Sequence, residues 1–553
     1  MDLLKLPIGE EDFKEIITKN YYYVDKTLFM KELIALHGKV NLFTRPRRWG
    51  KTLNISTLKY FFEKTKEDNS SLFEHLKIYK DDQSMEECGK YPVISLSLKG
   101  GKQSDYDLSI LAIKRAITSE FRRHEEAVLA YGREKERILR ILDAVGDIGD
   151  YIDSLGLLSN ILFQFHGVKV IILIDEYDVP LENAYFQGFY KQMTFFIRSL
   201  FESALKTNDA LNFAVLTGCL RIAKESIFTG LNNLNIISVL SEDYSEHFGF
   251  TEPEVQQMLN YYHLTEKNAI ITEWYNGYTI GKTKVYNPWS LVKYVYALNQ
   301  NIDAMPVDYW GNTSSNEIIR ELIHDADITT RDEIELLLKG GNITKQVHED
   351  ITYDEIHLTM DNMWNFLFFT GYLKKIDEWM DPLGDRFMCL EIPNKEVRYI
   401  FRNKISAWFQ EMVASENLED FYTAILNGQD QEMQRFINQI LGQSISYMDT
   451  QENFYHGFVL GLLSGMKDYR IKSNRESGKG RSDITIKYMN FLGIAVIIEC
   501  KLARTAKELE GKCEEALRQI EELQYDQELL EEGYQEIIKY GIAFYKKACL
   551  VKK

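Results

Sequence analysis

Two groups of residues in this chain have the types and spacing for phosphate chemistry. The first opens at Gly50-Lys51-Thr52, inside "FTRPRRWGKTLNIS". A glycine that admits backbone close to a phosphate, a lysine that reaches the β/γ phosphates and a threonine hydroxyl for Mg²⁺ are the working parts of a P-loop. The pattern departs from G-x-x-x-x-G-K-[ST] at Arg45, which takes the place of the first glycine and is followed by Pro46, Arg47 and Arg48. Arg45, Arg47 and Arg48 set three cations beside the loop, able either to offset phosphate charge or to stand as solvated surface cations. Further along, "VKVIILIDEYDVPL" ends in Asp175-Glu176, where Asp175 would support the Mg²⁺ shell and Glu176 would polarise the attacking water. "NFAVLTGCLR" carries Thr217, suited to sensing a γ-phosphate from a neighbouring strand. Arg221 reads as a second γ-phosphate contact or an arginine finger, or else as a helix-capping or inter-domain salt bridge.

The second group lies near the C-terminus. In "GIAVIIECKLA" strand alternation puts Glu499 and Lys501 on one face and Cys500 on the other. Asp483, in "GKGRSDITIKY", starts a strand joined to the first by a hairpin around Met489–Gly493, so antiparallel pairing brings Asp483 close to Glu499. Two such carboxylates form an all-oxygen site suited to Mg²⁺ or Mn²⁺, with Lys501 placed to orient or deprotonate a hydrolytic water. The competing reading is an exposed Glu/Lys ladder pair, against which stands the buried character of "IAVII". Arg470, Lys472, Arg475, Lys479 and Arg481 precede Asp483, either as a phosphate-backbone guide or as a solvated loop.

These residues need elements to hold them. Over 39–251, "VNLFT", "YPVISLSL", "KVIILID" and "NFAVLTG" alternate with longer helical patterns, which predicts a parallel sheet wrapped by helices. "TLNISTLKYFF" gives the helix after the loop, with Ile55, Leu58 and Phe62 at helical spacing. From about 252 the pattern turns helical, with Thr251 as a cap and with "WYNGYTIG" and "VYNPWSLV" as packed structural turns. A further unit begins near 445 as helix, hairpin and a long helix from about 504 to 524.

A chain of 553 residues is too long for one core, so two to four domains are expected. With 45% hydrophobic and 27% charged residues the composition is that of a globular protein. Its net charge of -18 argues against coating nucleic acid non-specifically, while leaving room for a local basic groove. The six cysteines show no C-x-x-C pair or metal spacing and read as free thiols. "MDLLKLPIGEEDF" lacks the regions of a signal peptide, and no apolar run approaches the ~20 residues of a membrane helix. The expectation is a cytoplasmic protein with no membrane partner.

The string "YYYVDKT…RPRRWGKT…IILIDEYD…LTGCLRIAKESIFTGLNN" resembles the bacterial AAA-ATPase-like family, often fused to a C-terminal nuclease-like domain. That family's loop reads R-P-R-R-[FW]-G-K-[ST], so the resemblance makes Arg45 part of its pattern. D-x15-E-x-K with "GRSD" resembles the PD-(D/E)xK nuclease superfamily, with Ser482 in place of its proline, Glu452 as a further acid and Gln519 as a polar position on the following helix. The fold implied is α/β: a P-loop sheet of AAA/ASCE type with helices on both faces over 1–250, a helical lid or winged-helix-like region over 251–400, a helical linker over 401–444 and an α/β nuclease-like domain over 445–553. In "YYYVDKT", Tyr22 or Tyr23 could stack on adenine, although a plain hydrophobic element start is the stronger reading. The function implied is ATP binding and hydrolysis coupled to a divalent-metal-dependent nuclease acting on DNA, with a homo-oligomeric neighbour as one source of an arginine finger. The alternative is a nucleotide-switched binding or signalling protein whose nuclease-like domain is not catalytic.

Overall fold

The computed structural model describes residues 3–221, 227–228, 232–311, 319, 322–323, 326–349, 355–356, 358–415, 418–443, 452–463, 465–473, 483–489 and 493–553. It divides into two compact units: Met1–Ser315 with Asn342–Ile400, and Asn316–Gly341 with Phe401–Lys553.

The first unit is built on five parallel strands, β1 (Val40–Thr44), β2 (Val93–Ser97), β3 (Val170–Asp175), β4 (Leu211–Gly218) and β5 (Leu234–Ile237), in the order β2-β3-β4-β1-β5. β1 and β3 are buried along their whole length, which is why they read as nearly continuous apolar runs. Helices surround the sheet. The one over Lys51–Phe62 buries Ile55, Leu58 and Phe62. The strand order matters for chemistry, because β4 lies between β1 and β3. Its register, Phe43 opposite Thr217 and Ile174 opposite Leu216, gathers the carboxyl ends of all three strands. That edge is where open α/β sheets place ligands.

Residues 251–400 carry helices and also two small antiparallel sheets. β6 (Phe250–Thr251), β7 (Tyr278–Ile280) and β8 (Thr283–Tyr286) pair in the order β6-β8-β7; β9 (Ile343–Gln346), β10 (Lys374–Met380) and β11 (Arg386–Glu391) pair as β10-β11-β9. Several of these strands span only two to four residues, too few to show alternation in sequence. Thr251 does open the helix Glu252–Tyr261, its backbone N–H donating to Glu254 at 2.8 Å. The N-terminal segment belongs to this core: Leu6 is buried with Val255, Leu259, Tyr262 and Tyr294.

The second unit holds β12 (Tyr469–Ser473), β13 (Ile484–Tyr488), β14 (Ile494–Leu502), β15 (Glu536–Tyr545) and β16 (Ala548–Lys552) in chain order. Only β14 and β15 run parallel, and the helix Leu509–Glu522 lies in the connection between them, as a parallel pair requires. The helices Glu419–Leu426 and Asp430–Gln443, expected as a linker, are bound to this sheet. Tyr540 Oη donates to the Ile425 carbonyl at 2.8 Å, and Cys549 N–H donates to Asn438 at 2.6 Å. Among the described residues none of the six cysteines is in a disulfide. Among the described residues no helix is long and apolar enough to cross a membrane.

Candidate functional site

The phosphate loop leaves β1 at Thr44 and enters its helix at Gly50, whose φ of 79° is the left-handed conformation that glycine adopts without strain. Arg48 is also left-handed, at φ 66°. Lys51 is 3% exposed, with Nζ donating to the carbonyls of Arg45 at 3.2 Å and Pro46 at 3.1 Å and lying 3.4 Å from Cys219 Sγ. Burial opposes its charge, but Cys219, Glu176, Asp178 and Asp175 around it hold the ammonium above the usual lysine range. Thr52 Oγ1 donates to Asp175 at 2.8 Å, and Thr217 Oγ1 donates to the other oxygen of the same carboxylate at 2.5 Å. Burial and the neighbouring Glu176 raise the Asp175 carboxyl, while the two hydroxyls and Lys51 act the other way. Glu176, at φ 54°, turns toward the cavity and lies 4.0 Å from Lys51.

Thr52, Asp175 and Thr217 are thus brought into one hydrogen-bonded row, with Lys51 and Glu176 beside it. A cavity of about 310 Å³ adjoins them, lined by Arg47, Arg48, Lys51, Thr52, Glu176 and Glu182 among others. Arg47 pairs with Glu182. The Arg48 guanidinium lies 4.4 Å from the centroid of the Trp289 ring, a cation–π contact on the cavity wall.

Two expected ligands are elsewhere. Arg45 is fully buried, its NH1 donating to the carbonyls of Thr44 and Ile237, each at 2.9 Å, with the guanidinium 5.0 Å from the Phe248 ring. It bridges β1 to β5 and does not line the cavity, and burial lowers its pKa to about 9. Arg221 sits 3.7 Å from Glu349, in keeping with the salt-bridge reading, and is also outside the cavity lining. Nor do Tyr22 and Tyr23 reach it: Tyr22 packs on Tyr261 and Tyr262, and Tyr23 meets Phe13 edge-on.

The structure adds residues that sequence reasoning passes over. Asp178, three positions after Asp175, accepts from the N–H groups of Cys219 at 2.7 Å and Leu220 at 3.1 Å, fixing the chain after β4. Burial, then Glu176, pushes its carboxyl up to about 7. The middle region clasps the loop residue by residue. Trp49, 2% exposed, meets Tyr278 edge-on at 5.0 Å and packs so closely on Gly249 that a Cβ there would stand 2.8 Å from its ring. Trp310 Nε1 donates to the Arg47 carbonyl at 3.2 Å, and Gly371, at φ 91°, leaves room for Pro46. Trp289 comes from "VYNPWS", read in sequence as a structural turn. Asn287 caps that helix and Pro288 starts it, which presents Trp289 to the cavity. Behind both tryptophans lies Glu396, fully buried, whose Oε1 accepts from Ser290 Oγ at 2.8 Å and from the Trp310 N–H at 3.0 Å. Burial pushes this carboxyl up to about 8.

In the second unit, Ile484 pairs with Ile498, and that register sets Asp483 across from Glu499. The two acids are cross-tied through backbone: Asp483 N–H donates to Glu499 at 3.1 Å, and Cys500 N–H donates to Asp483 at 2.9 Å. Lys501 Nζ donates to Glu499 at 3.1 Å and Gln519 Nε2 donates to the same oxygen at 2.5 Å. Glu499 is 2% exposed, and its carboxyl is raised by burial and by Asp483, with Lys501 opposing. His456, not anticipated from sequence, is buried with Nε2 3.1 Å from the Asp483 carbonyl oxygen. The side chain of Glu452, at the start of the helix Glu452–Leu463, and residues Arg475, Lys479, Arg481 and Ser482 lie outside the described residues. The donors gathered here are hard carboxylate oxygens, which fit Mg²⁺ or Mn²⁺ better than a softer metal. Among the described residues no group of three or more His, Cys, Asp or Glu stands together for a metal.

Comparison with known proteins finds a family model over each of two stretches of the chain. Residues 7–228 match the model of a family described as predicted AAA-ATPase, and residues 450–553 match the PD-(D/E)XK nuclease superfamily. An uncharacterized protein in the vnfD 5' region of Azotobacter chroococcum mcd 1 is 32% identical over 326 residues, covering 58% of this chain and 57% of that protein. The chain thus spans less than two thirds of that relative's length. No solved structure matches. The chain carries an AAA-ATPase-like domain followed by a domain of the PD-(D/E)XK nuclease superfamily.

Proposed function

We propose that the first unit binds and hydrolyses ATP, that the second cleaves DNA with a divalent metal, and that nucleotide state governs cleavage. The observation that supports the second activity most directly is the register that sets Asp483, Glu499 and Lys501 on one sheet face with their side chains in contact range. Thr52 and Asp175 would hold Mg²⁺ in the nucleotide cleft; Asp483 and Glu499 would hold Mg²⁺ or Mn²⁺ in the second site. A cation so held lowers the pKa of a bound water and offsets charge on phosphoryl oxygens.

The chain's own residues supply the rest. Lys51 exchanges its carbonyl acceptors for β/γ phosphate oxygens, and Glu176 takes the hydrogen bond of the attacking water. Thr217, tied to Asp175, reports the γ-phosphate to β4. Trp289 and Arg48 offer a flat apolar and cationic wall to the base. In the second unit Lys501 orients the hydrolytic water and stabilises charge on the phosphodiester, while Gln519 fixes the rotamer of Glu499.

One observation favours a second reading, a nucleotide-switched binding protein. Glu499 already accepts hydrogen bonds from the Asp483 N–H, Lys501 and Gln519. A carboxylate so engaged could be structural. The deciding assay is cleavage of linear, circular and single-stranded DNA with Mg²⁺ and then Mn²⁺, with and without ATP, comparing wild type with Lys501→Ala and Lys51→Ala. Cleavage lost in Lys501→Ala, and an ATP response lost in Lys51→Ala, support the coupled nuclease. ATP turnover with no cleavage of any substrate moves the assignment to the switch.

A further inference from the structure

The pairing of β12 extends the carboxylate site in one direction. Lys472 stands opposite Thr485 and Arg470 opposite Lys487; on the other side of β13, Thr485 is opposite Ile497 and Lys487 opposite Ala495. Directly paired residues share a face, as do residues two apart on a strand. Arg470 and Lys472 therefore lie on the same face as Asp483, Glu499 and Lys501. The helix Leu509–Glu522 covers this face over β14 and β15, where its Ile520 is buried with Ala495 and Ile497.

Among the described residues β12 is one of the two edge strands of the sheet, with Arg470 exposed and Lys472 half-buried. Along a strand, residues two apart are separated by about 6.5–7 Å, close to the step between successive phosphates of an extended nucleic-acid strand. Lys472 is the cation nearer to Asp483 in register, and Arg470 the farther. At the far end Lys487 is held by Glu532 at 2.6 Å and Glu528 at 3.8 Å, so negative charge closes the row there. A cleft of about 1080 Å³ borders the edge, lined by Arg470, Lys472, Lys487 and Tyr534, and by Tyr469 and Tyr488, which pair with each other on the opposite face. Cations in a row neutralise successive phosphates and so track a nucleic-acid backbone.

We infer that Arg470 and Lys472 form a track for the phosphodiester backbone of a nucleic-acid strand, leading along β12 to the Asp483–Glu499–Lys501 site. The inference rests on the proposed nuclease reading and specifies where its substrate lies.

The test is fluorescence anisotropy with the full chain in EDTA, using labelled single-stranded DNA, duplex DNA and RNA of one sequence over a range of salt. Wild type is compared with the double variant Arg470→Ala/Lys472→Ala and with the charge-keeping Arg470→Lys/Lys472→Arg, which controls for folding. Removing two cations that each neutralise a phosphate lowers the slope of log affinity against log salt by about 1.4 on single strands or about 1.8 on duplex, with at least tenfold weaker binding in low salt. The charge-keeping variant holds the wild-type slope. The strand type that shows this weakening identifies the substrate. Equal affinity and slope in wild type and the double alanine variant overturn the track while leaving the nuclease reading intact. Wild type that binds none of the three nucleic acids overturns both.

Discussion

Lys51 and Lys501 are both lysines within reach of a carboxylate, and their surroundings differ in kind. Lys51 is enclosed, donating to two loop carbonyls, with Asp175, Glu176 and Asp178 acting on it at once. Lys501 donates to Glu499 from β14, the central strand of its sheet, and Glu515 also feels its charge. The nucleotide loop is therefore held by packing and charge from many parts of its unit. The carboxylate site is set by β-sheet register, with the Asp483 N–H, Lys501 and Gln519 all donating to Glu499. A lysine removed from the first place disturbs several carboxylates at once; removed from the second, it leaves Glu499 with the Asp483 N–H and Gln519 still donating to it.

Substituting each lysine tests that contrast directly. Lys501→Ala is expected to lower DNA cleavage about 10²–10⁴-fold, with ATP turnover near wild type and a smaller stability loss than at Lys51, because Glu499 keeps the Asp483 N–H and Gln519 as donors. Lys51→Ala is expected to abolish ATP turnover and also to destabilise the first unit by about 3–5 kcal/mol, because it leaves buried carboxylates without their cation. Denaturant unfolding followed beside both assays checks the pair. Equal stability losses in the two variants would erase the distinction.

The anchor of the loop comes next in size. Trp49→Ala is expected to cost about 3–5 kcal/mol, since it empties a buried site between Tyr278 and Gly249. Trp49→Phe is expected to be mild, because among the described residues the indole N–H has no hydrogen-bond partner to lose. Thermal melting and nucleotide affinity of both variants measure how far the clasp from the middle region sets the loop.

Much of this is legible in the residues alone. Lys51, Thr52, Asp175, Glu176 and Thr217 are local motif residues at the ends of long buried strands, and periodicity places such strands well. Asp483, Glu499 and Lys501 follow from a hairpin, where counting residues gives register. Arg45 misleads because residue type shows charge but not direction: its side chain turns inward toward the β5 carbonyl of Ile237. Trp289, Trp310 and Glu396 escape sequence reasoning as site residues because they act on the loop from more than two hundred positions away, and the pattern of their own helix or turn does not show what they will meet there. Asp178 lies in plain view within "DEYD", but its task, binding the N–H groups after β4, depends on strand order.

Glu396 offers a subtler probe of the same clasp. Its carboxyl is raised from 4.5 to about 8, chiefly by burial, so the folded chain keeps a proton that the unfolded chain has lost across that window. The contribution of this group is then fully present below about pH 4.5 and is lost as pH rises toward 8, by at most about 1.4 kcal/mol per pH unit. Asp178, raised from 3.8 to about 7, contributes with the same sign. Glu396→Gln stays neutral throughout and is expected to flatten the part that belongs to Glu396. Denaturant midpoints of wild type and variant at pH 5, 6.5 and 8 give the difference. Parallel curves would remove Glu396 from the account.

The smallest expected effect is the most specific to the cleft. Trp289 is half-buried on the cavity wall, stacked on Arg48 and bonded through Nε1 to the Tyr309 carbonyl at 3.2 Å. Its ring is therefore fixed before any ligand arrives, and a base laid against it loses little further freedom. Trp289→Ala is expected to weaken ATP binding by about 1 kcal/mol, roughly fivefold in Kd, while Trp289→Phe keeps most of the affinity. Triphosphate without a base separates the causes. If Trp289→Ala weakens ATP and leaves inorganic triphosphate unchanged, the wall reads the base. If both weaken equally, Trp289 acts through Arg48 on the phosphate loop, and the clasp extends one residue further than the packing of Trp49 alone would place it.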